Sequence, residues 1–327
     1  MKALVFGVKV AVTAAFVWFL IHYVDFKPIG AFLKSGRGAA TLGLCVVILL
    51  VQAVLGAMRL RLIMRLLGTE CAVSTAFSIW MIGLLMGQAL VTFVAGDAVR
   101  VWELVKRHYK TRLAASAIFL DRLIGFVVLI AMVVFCIPVL LARAQDGAVH
   151  HGIVVLGALC AFGMVGFMAS VFLGNIIRRV APRLSEKRIA AAVIDVASAT
   201  RHLMNSWKLS AGIAGVSAIM HLLNVLVFFI FLHVAGVAIE PLANMAVSLP
   251  VMLIALMPIA LAGWGIREGS AVVGYGLFGV SASAAVTASV GFGVALLLTS
   301  LPGIFFFWLS KSRLPPPLQL ETEGGAT

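Results

Sequence analysis

Polar positions are sparse along this chain and gather between long apolar runs, so the placement of those runs is the first thing to read. Six of them, at about 4–24, 39–58, 114–141, 153–174, 210–235 and 284–310, approach or exceed the ~20 residues a helix needs to cross a bilayer. Two more, 73–95 and 243–262, are of another kind. The first is rich in small and polar residues, among them Ser74, Ser78, Gly83, Gly87, Gln88 and Thr92, and ends at Gly96-Asp97. The second contains Pro250 and Pro258 and ends at Gly263-Trp264-Gly265. Proline and glycine interrupt helices, and backbone freed at membrane depth must face protein or a watery cavity. Both segments therefore predict broken, re-entrant hairpins.

Composition narrows the class. Of 327 residues 63% are hydrophobic and 11% charged, with mean hydropathy +1.14, whereas a soluble globule carries roughly 25% charged residues. The longest polar connection, 175–209, has room for one or two short helices but not for a soluble catalytic domain. The net charge of +13 sits in connecting segments, where it orients the chain and attracts anionic lipid headgroups, so no nucleic-acid partner is expected. Cys45, Cys71, Cys136 and Cys160 form no CxxC or metal-ligand spacing and read as buried, reduced thiols. No metal or cofactor is expected.

Loop charge sets the topology. Arg59, Arg61 and Arg65 follow the run 39–58, and Arg100, Lys106, Arg107, Lys110 and Arg112 follow 73–95. Both groups belong on the cytoplasmic side. A single crossing by 73–95 forbids that; a hairpin that enters and returns allows it. The basic connection 175–209 and Lys311 and Arg313 fall on the same side, while 236–242 has no lysine or arginine and lies outside. The external loop 25–38, with Lys27, Lys34 and Arg37, is the one departure. The run 4–24, behind Lys2 and Lys9, lacks a small-residue cleavage site and reads as a retained span.

The chain also echoes itself. Val94-Ala95-Gly96-Asp97-Ala98-Val99-Arg100 and Leu261-Ala262-Gly263-Trp264-Gly265-Ile266-Arg267 each place an arginine four residues beyond an Ala-Gly, in one constant register. Three crossings separate the copies, so the second is inverted, as in transporters built from inverted repeats. The expectation is an all-α integral membrane protein with about six transmembrane helices plus two re-entrant helical hairpins in an inverted repeat. One membrane domain covers 1–310, with repeat 1 at about 1–141 and repeat 2 at about 153–310. The segment 175–209 is a cytoplasmic interfacial piece, in which Ile189, Val193, Val196, Thr200 and Leu203 trace one helix face. Residues 311–327 form a disordered cytoplasmic tail, and both termini are cytoplasmic.

Charges beside or within apolar segments are the candidates for chemistry, because one at the bilayer centre costs about 2.5–3.5 kcal/mol on insertion scales. They are Asp97 with Arg100, Asp121 with Arg122, and Arg267 with Glu268. On the functional reading Arg100 and Arg267 face a shared polar cavity and hold an anionic headgroup, since a guanidinium offers a planar donor fork to phosphate. Gly96, Gly263 and Gly265 let backbone N–H groups approach the same anion. The acids balance the cations in the empty site or titrate during transport. On the plainer reading all six charges are interfacial caps and orientation signals. His221 and Asn224 share a helix face, suited to hydrogen bonds between helices. His150-His151 has no partners at metal-ligand spacing. No GxSxG, HExxH, P-loop or dinucleotide fingerprint is present, so no enzyme activity is expected.

At these residues the chain resembles the flippase-like membrane region of bacterial lysylphosphatidylglycerol synthases, a family that also has stand-alone members. The resemblance rests on Gly96-Asp97-Ala98-Val99-Arg100, the basic stretch after it, Asp121-Arg122-Leu123-Ile124-Gly125, and the later motif from Pro258 through Gly263, Gly265 and Arg267 to Glu268. Val91-Thr92-Phe93 replaces a proline usual before the first motif, and Gly263-Trp264 replaces a paired glycine. The resemblance implies a lipid-translocating protein of the bacterial inner membrane. Only seventeen residues follow Ser310, so aminoacyl transfer is not expected of this chain. Arg100, Arg122 and Arg267 are then expected to engage a phospholipid or polyprenyl-linked phosphate, with a lipid-synthesising enzyme as a possible partner and the oligomeric state open. Two other readings stand beside it: an integral-membrane enzyme acting on lipid phosphates through a cation held by Asp97, Asp121 and Glu268, and a non-transporting scaffold for a lipid-modifying partner.

Overall fold

The computed structural model describes residues 36–89, 93–180, 206–257 and 264–311, and every regular element among them is a helix. The apolar run 4–24, the interfacial stretch 186–204, Gly263 and the tail beyond Lys311 lie outside the described residues. In chain order the helices are α1 (Gly36–Leu66), α2 (Val73–Ala89), α3 (Phe93–Lys106), α4 (Thr111–Leu141) and α5 (Gly147–Val180), followed by α6 (Trp207–Val234), α7 (Pro241–Ala255), α8 (Ile266–Gly276), α9 (Ala282–Ser300) and α10 (Pro302–Lys311). Five stretches are long and apolar enough to cross a membrane: Gly36–Leu66, Thr111–Leu141, Gly147–Phe167, Trp207–Val234 and Ala282–Ser310. The chain is a multi-pass membrane protein.

Four boundaries differ from the sequence reading. First, α1 does not stop near 58. Leu60, Ile63 and Met64 continue its buried face, and arginine and leucine are good helix formers, so Arg59, Arg61 and Arg65 ride on the helix and not in a loop. Second, α2 ends at Ala89 and α3 begins at Phe93, so Gly96 lies inside α3 and does not close the preceding segment. Gly96 is there for proximity: a Cβ at this position would lie 2.6 Å from the Gly83 carbonyl oxygen and 3.1 Å from the Gly87 nitrogen, so only glycine lets α2 and α3 approach so closely. Third, Pro250 does not break its segment. It is buried within α7, whose first residue is Pro241, and the helix ends after Ala255. The run 284–310 instead divides at Leu301-Pro302 into α9 and α10, where proline begins a new helix without needing its missing N–H.

The shorter helices come as two pairs. α2 packs along α3, and α7 along α8. Each pair belongs to its own apolar core. One core joins Ala53–Met64 of α1, Ala114–Ile124 of α4, and Ile213 and Met220 of α6 to α2 and Leu104 of α3. The other joins Cys45 and Leu49 of α1, Leu129–Leu140 of α4 and Val225–Leu232 of α6 to α7, α8 and α9. The long helices α1, α4 and α6 thus run through both cores and change from one to the other at a common level. That level is polar. Gln52, Gly125 and His221 each lie within about one residue of the midpoint of α1, α4 and α6.

α10 ties the far end of the chain to the first pair. It packs on α2, where Phe306 meets Phe77 edge to face at 5.6 Å. The buried Glu103 of α3 accepts hydrogen bonds from Arg107 and from the Ser310 hydroxyl, and Lys106 Nζ donates to the Ser310 carbonyl at 3.3 Å. Asn244 of α7 ties the second pair internally and to α6, donating to the Val225 carbonyl at 2.9 Å and accepting from the Tyr275 hydroxyl at 2.8 Å.

Candidate functional site

A cavity of about 510 Å³ opens where α1, α2, α3, α4, α6 and α9 meet, next to the polar level between the cores. Its charged residues are Arg59, Asp97, Arg100, Asp121 and Arg122; its uncharged polar ones include Gln52, Gln88, His221 and Asn224; the remaining wall is apolar, with Phe119, Phe126 and Phe292. Three cations and two anions leave one unbalanced positive charge.

The charges are not equally bound. Arg59 donates from Nε to Asp121 Oδ1 at 2.7 Å and from Nη1 to Ser217 Oγ at 3.1 Å, and both ion-pair partners are buried. Arg122 donates from Nε to Asp97 Oδ2 at 2.7 Å, with its own side chain 43% exposed. Arg100, 3% exposed, has neither kind of tie. Its Nη1 lies 3.5 Å from Asp97 Oδ1 and 3.8 Å from Asp121 Oδ2, too far or too poorly aligned to count as hydrogen bonds. Its Nε and Nη1, Asp97 Oδ1 and Asp121 Oδ2 are all buried without a hydrogen-bond partner. Trp80 covers the guanidinium, with its ring 4.2 Å from Arg100 Cζ and 5.6 Å from Arg59 Cζ.

An unpaired buried donor costs about 1–3 kcal/mol, and more when charged. A site that holds Arg100 between two carboxylates already engaged by Arg59 and Arg122 therefore leaves its buried donors short of an acceptor. An anion with several oxygens satisfies that demand.

The structure gathers Gly96, Asp97, Arg100, Asp121 and Arg122 into this region, with Gly96 holding α3 against α2 so that Asp97 and Arg100 reach α4. Arg267 and Glu268 are not among the residues that line the cavity. They close a separate hydrogen-bonded cluster at the start of α8. Arg267 Nη2 donates to Glu268 Oε1 at 2.7 Å, Arg267 Nε to Ser289 Oγ at 2.9 Å, and Ser289 Oγ to Glu268 Oε1 at 2.8 Å. The other carboxylate oxygen of Glu268 accepts the Gly265 N–H at 2.6 Å, fastening the N-terminus of α8, where Gly265 has a φ of +87°. Trp264 and Phe292 flank the Arg267 guanidinium at 4.8 and 5.5 Å. The two echoing arginines thus differ: Arg100 is left with unpaired donors and Arg267 is paired with its own neighbour. Among the described residues no three of His, Cys, Asp and Glu come together as a metal-holding group, so Asp97, Asp121 and Glu268 do not assemble as a cation site.

Arg59 is the residue that sequence reasoning missed, read there as a loop charge. Gln52 is another. His221 and Asn224 do bond between helices: His221 Nε2 meets the Gly125 carbonyl at 2.9 Å, and Gln52 Nε2 donates to Asn224 Oδ1 at 2.9 Å. Both also line the cavity.

Fold and site together define a multi-pass helical membrane protein with an arginine-lined cavity beside the level where its two apolar cores meet. The chain belongs to the lysylphosphatidylglycerol synthase TM region family, whose model matches residues 6–303. No curated protein and no solved structure matches it. Family and fold place it among membrane proteins of lipid metabolism or transport.

Proposed function

We propose that the chain is a lipid flippase, moving a lipid with a phosphate-bearing headgroup between the leaflets of the bacterial inner membrane. The observation that carries this reading is Arg100: a buried guanidinium with unpaired donors, lining a cavity whose charges sum to one excess positive. A phosphate there bridges Arg59, Arg100 and Arg122, while the acyl chains stay in lipid. Asp97 and Asp121 hold the arginines apart and forward in the empty site. Arg267 and Glu268 organise the start of α8 and do not touch the ligand.

The placement of the cavity supports transport over surface catalysis. It borders the level at which α1, α4 and α6 pass their midpoints, the depth at which a lipid headgroup must be sheltered on its way across. The two helix pairs, one to each core, are read as hairpins entering from opposite faces, in an inverted repeat whose copies are the echoing Gly-x-x-x-Arg elements. The test is headgroup transfer in proteoliposomes containing fluorescent phosphatidylglycerol. Wild-type protein should equilibrate the label between leaflets, and the Arg100→Met variant should do so at the rate of empty vesicles. Transfer by that variant at the wild-type rate contradicts the reading.

A further inference from the structure

We infer that Trp80 is a positioning residue for the phosphate site: the face of its indole ring holds the Arg100 guanidinium off the two aspartates, so that its donors stay unpaired until a ligand arrives. This rests on the phosphate reading proposed above and concerns what sets the strength of that site.

The pairing around Arg100 is incomplete on both sides. Its Nε and Nη1 are buried without a hydrogen-bond partner, and beside them Asp97 Oδ1 and Asp121 Oδ2 are buried acceptors that also lack one. Nη1 stands 3.5 and 3.8 Å from those oxygens, less than about an ångström beyond a charge-assisted bond. A long arginine side chain closes such a gap unless something holds it back. The carboxylates cannot close it themselves, since Arg122 anchors Asp97 and Arg59 anchors Asp121, each at 2.7 Å.

Trp80 is what holds the guanidinium. Its ring lies 4.2 Å from Arg100 Cζ, within the range at which a cation is attracted to an aromatic face, and tryptophan offers the strongest such face. Arg59 Cζ lies 5.6 Å from the same ring, so one indole serves two cations that would otherwise only repel. Two buried glycines fix the stack. A Cβ at Gly56 of α1 would run into the Trp80 ring, so the indole lies against bare backbone and cannot retreat. A Cβ at Gly83, three residues beyond Trp80 on α2, would run into the Arg100 side chain, which therefore crosses bare α2 backbone to reach the ring. Without the attraction of the ring, Arg100 moves onto Asp97 Oδ1 and Asp121 Oδ2. A phosphate must then break those bonds before it binds, and its affinity falls.

The experiment replaces Trp80 alone, in the full-length protein, with mono-, di- and tetrafluorotryptophan by site-specific incorporation. Fluorine draws electron density from the ring face and weakens its hold on a cation, while the shape of the side chain hardly changes. Retention of phosphatidylglycerol over phosphatidylcholine is read by native mass spectrometry, and melting is followed in the same detergent. The preference for phosphatidylglycerol should fall stepwise along the series, by roughly tenfold at tetrafluorotryptophan, which corresponds to about 1.4 kcal/mol. Melting should stay at the wild-type value, because the bonds that Arg100 gains to the aspartates offset the attraction it loses. A preference unchanged through the series overturns the role of Trp80 and leaves the phosphate site standing. A fall in melting that parallels the loss of lipid overturns it too, since the ring then serves packing alone. Wild-type protein with no preference for phosphatidylglycerol overturns the phosphate reading, and this inference with it.

Discussion

Arg100 and Arg59 are equally buried arginines in one cavity, yet replacing each by methionine should have opposite consequences. In Arg59→Met, Asp121 loses its 2.7 Å partner and keeps only Arg100 at 3.8 Å, while Ser217 Oγ loses the guanidinium N–H that donates to it at 3.1 Å. Breaking a buried pair in this way costs about 3–5 kcal/mol, because a charge is left buried without compensation. In Arg100→Met, both carboxylates keep their close partners, Asp97 with Arg122 and Asp121 with Arg59, each at 2.7 Å. What is lost is the pair of loose contacts and the stacking on Trp80, about 0.5–2 kcal/mol. What is relieved is the burial of a charged group with unpaired donors, about 1–3 kcal/mol. The two nearly cancel, and methionine fills much of the space. Thermal unfolding of the two variants in one detergent should therefore show Arg100→Met melting close to wild type and Arg59→Met melting well below it. Native mass spectrometry of retained anionic lipid should show a loss of at least tenfold in Arg100→Met. Equal destabilisation by the two substitutions would refute this account of the charges. So would a stable Arg100→Met that keeps its lipid.

Three further outcomes follow from the packing. Gly96→Ala should reduce the yield of folded protein and push α3 from α2 at a cost of about 1–3 kcal/mol, since the added Cβ meets backbone and no movable side chain; melting of the purified variant checks it. Glu268→Gln should lower the melting point more than Ser289→Ala, because it removes the charge facing Arg267 and weakens the tie to the Gly265 N–H, whereas Ser289→Ala leaves the ion pair in place. Tyr275→Phe should cost about 1–3 kcal/mol by leaving Asn244 Oδ1 buried without a donor, with lipid retention unchanged, since neither residue lines the cavity.

The long helices were legible because hydropathy alone settles them: the runs 39–58, 114–141 and 153–174 each return inside a helix, and 210–235 overruns its helix by one residue. Asp121 and Arg122 were legible for the converse reason, as charges within an apolar run. Arg59 was not, because it stands where such a run thins out and reads as the start of a loop. Its burial is a tertiary fact, made by Asp121 62 positions later and Ser217 158 positions later. The one signal available was Leu60, Ile63 and Met64, whose spacing continues the apolar face beyond the arginine. Gln52 offered a plainer signal, an amide in the middle of an apolar run, but its partner Asn224 is 172 positions away. The echo between the arginines misled in a different way. Position is shared, but Glu268 lies next to Arg267 while Asp97 is a turn away from Arg100 and is held by Arg122. The same residue in the same register is paired in one copy and left with unpaired donors in the other.

The central claim is that the unpaired guanidinium of Arg100, between α3 and α4, is a seat for lipid phosphate. Determining the structure of the wild-type protein in a bilayer disc of phosphatidylglycerol tests it most directly. The account predicts density for a phosphate at hydrogen-bonding distance, roughly 3 Å, from Arg100 and from at least one of Arg59 and Arg122. A cavity holding only water or acyl chain, with Arg100 still wedged between its two aspartates, would contradict it.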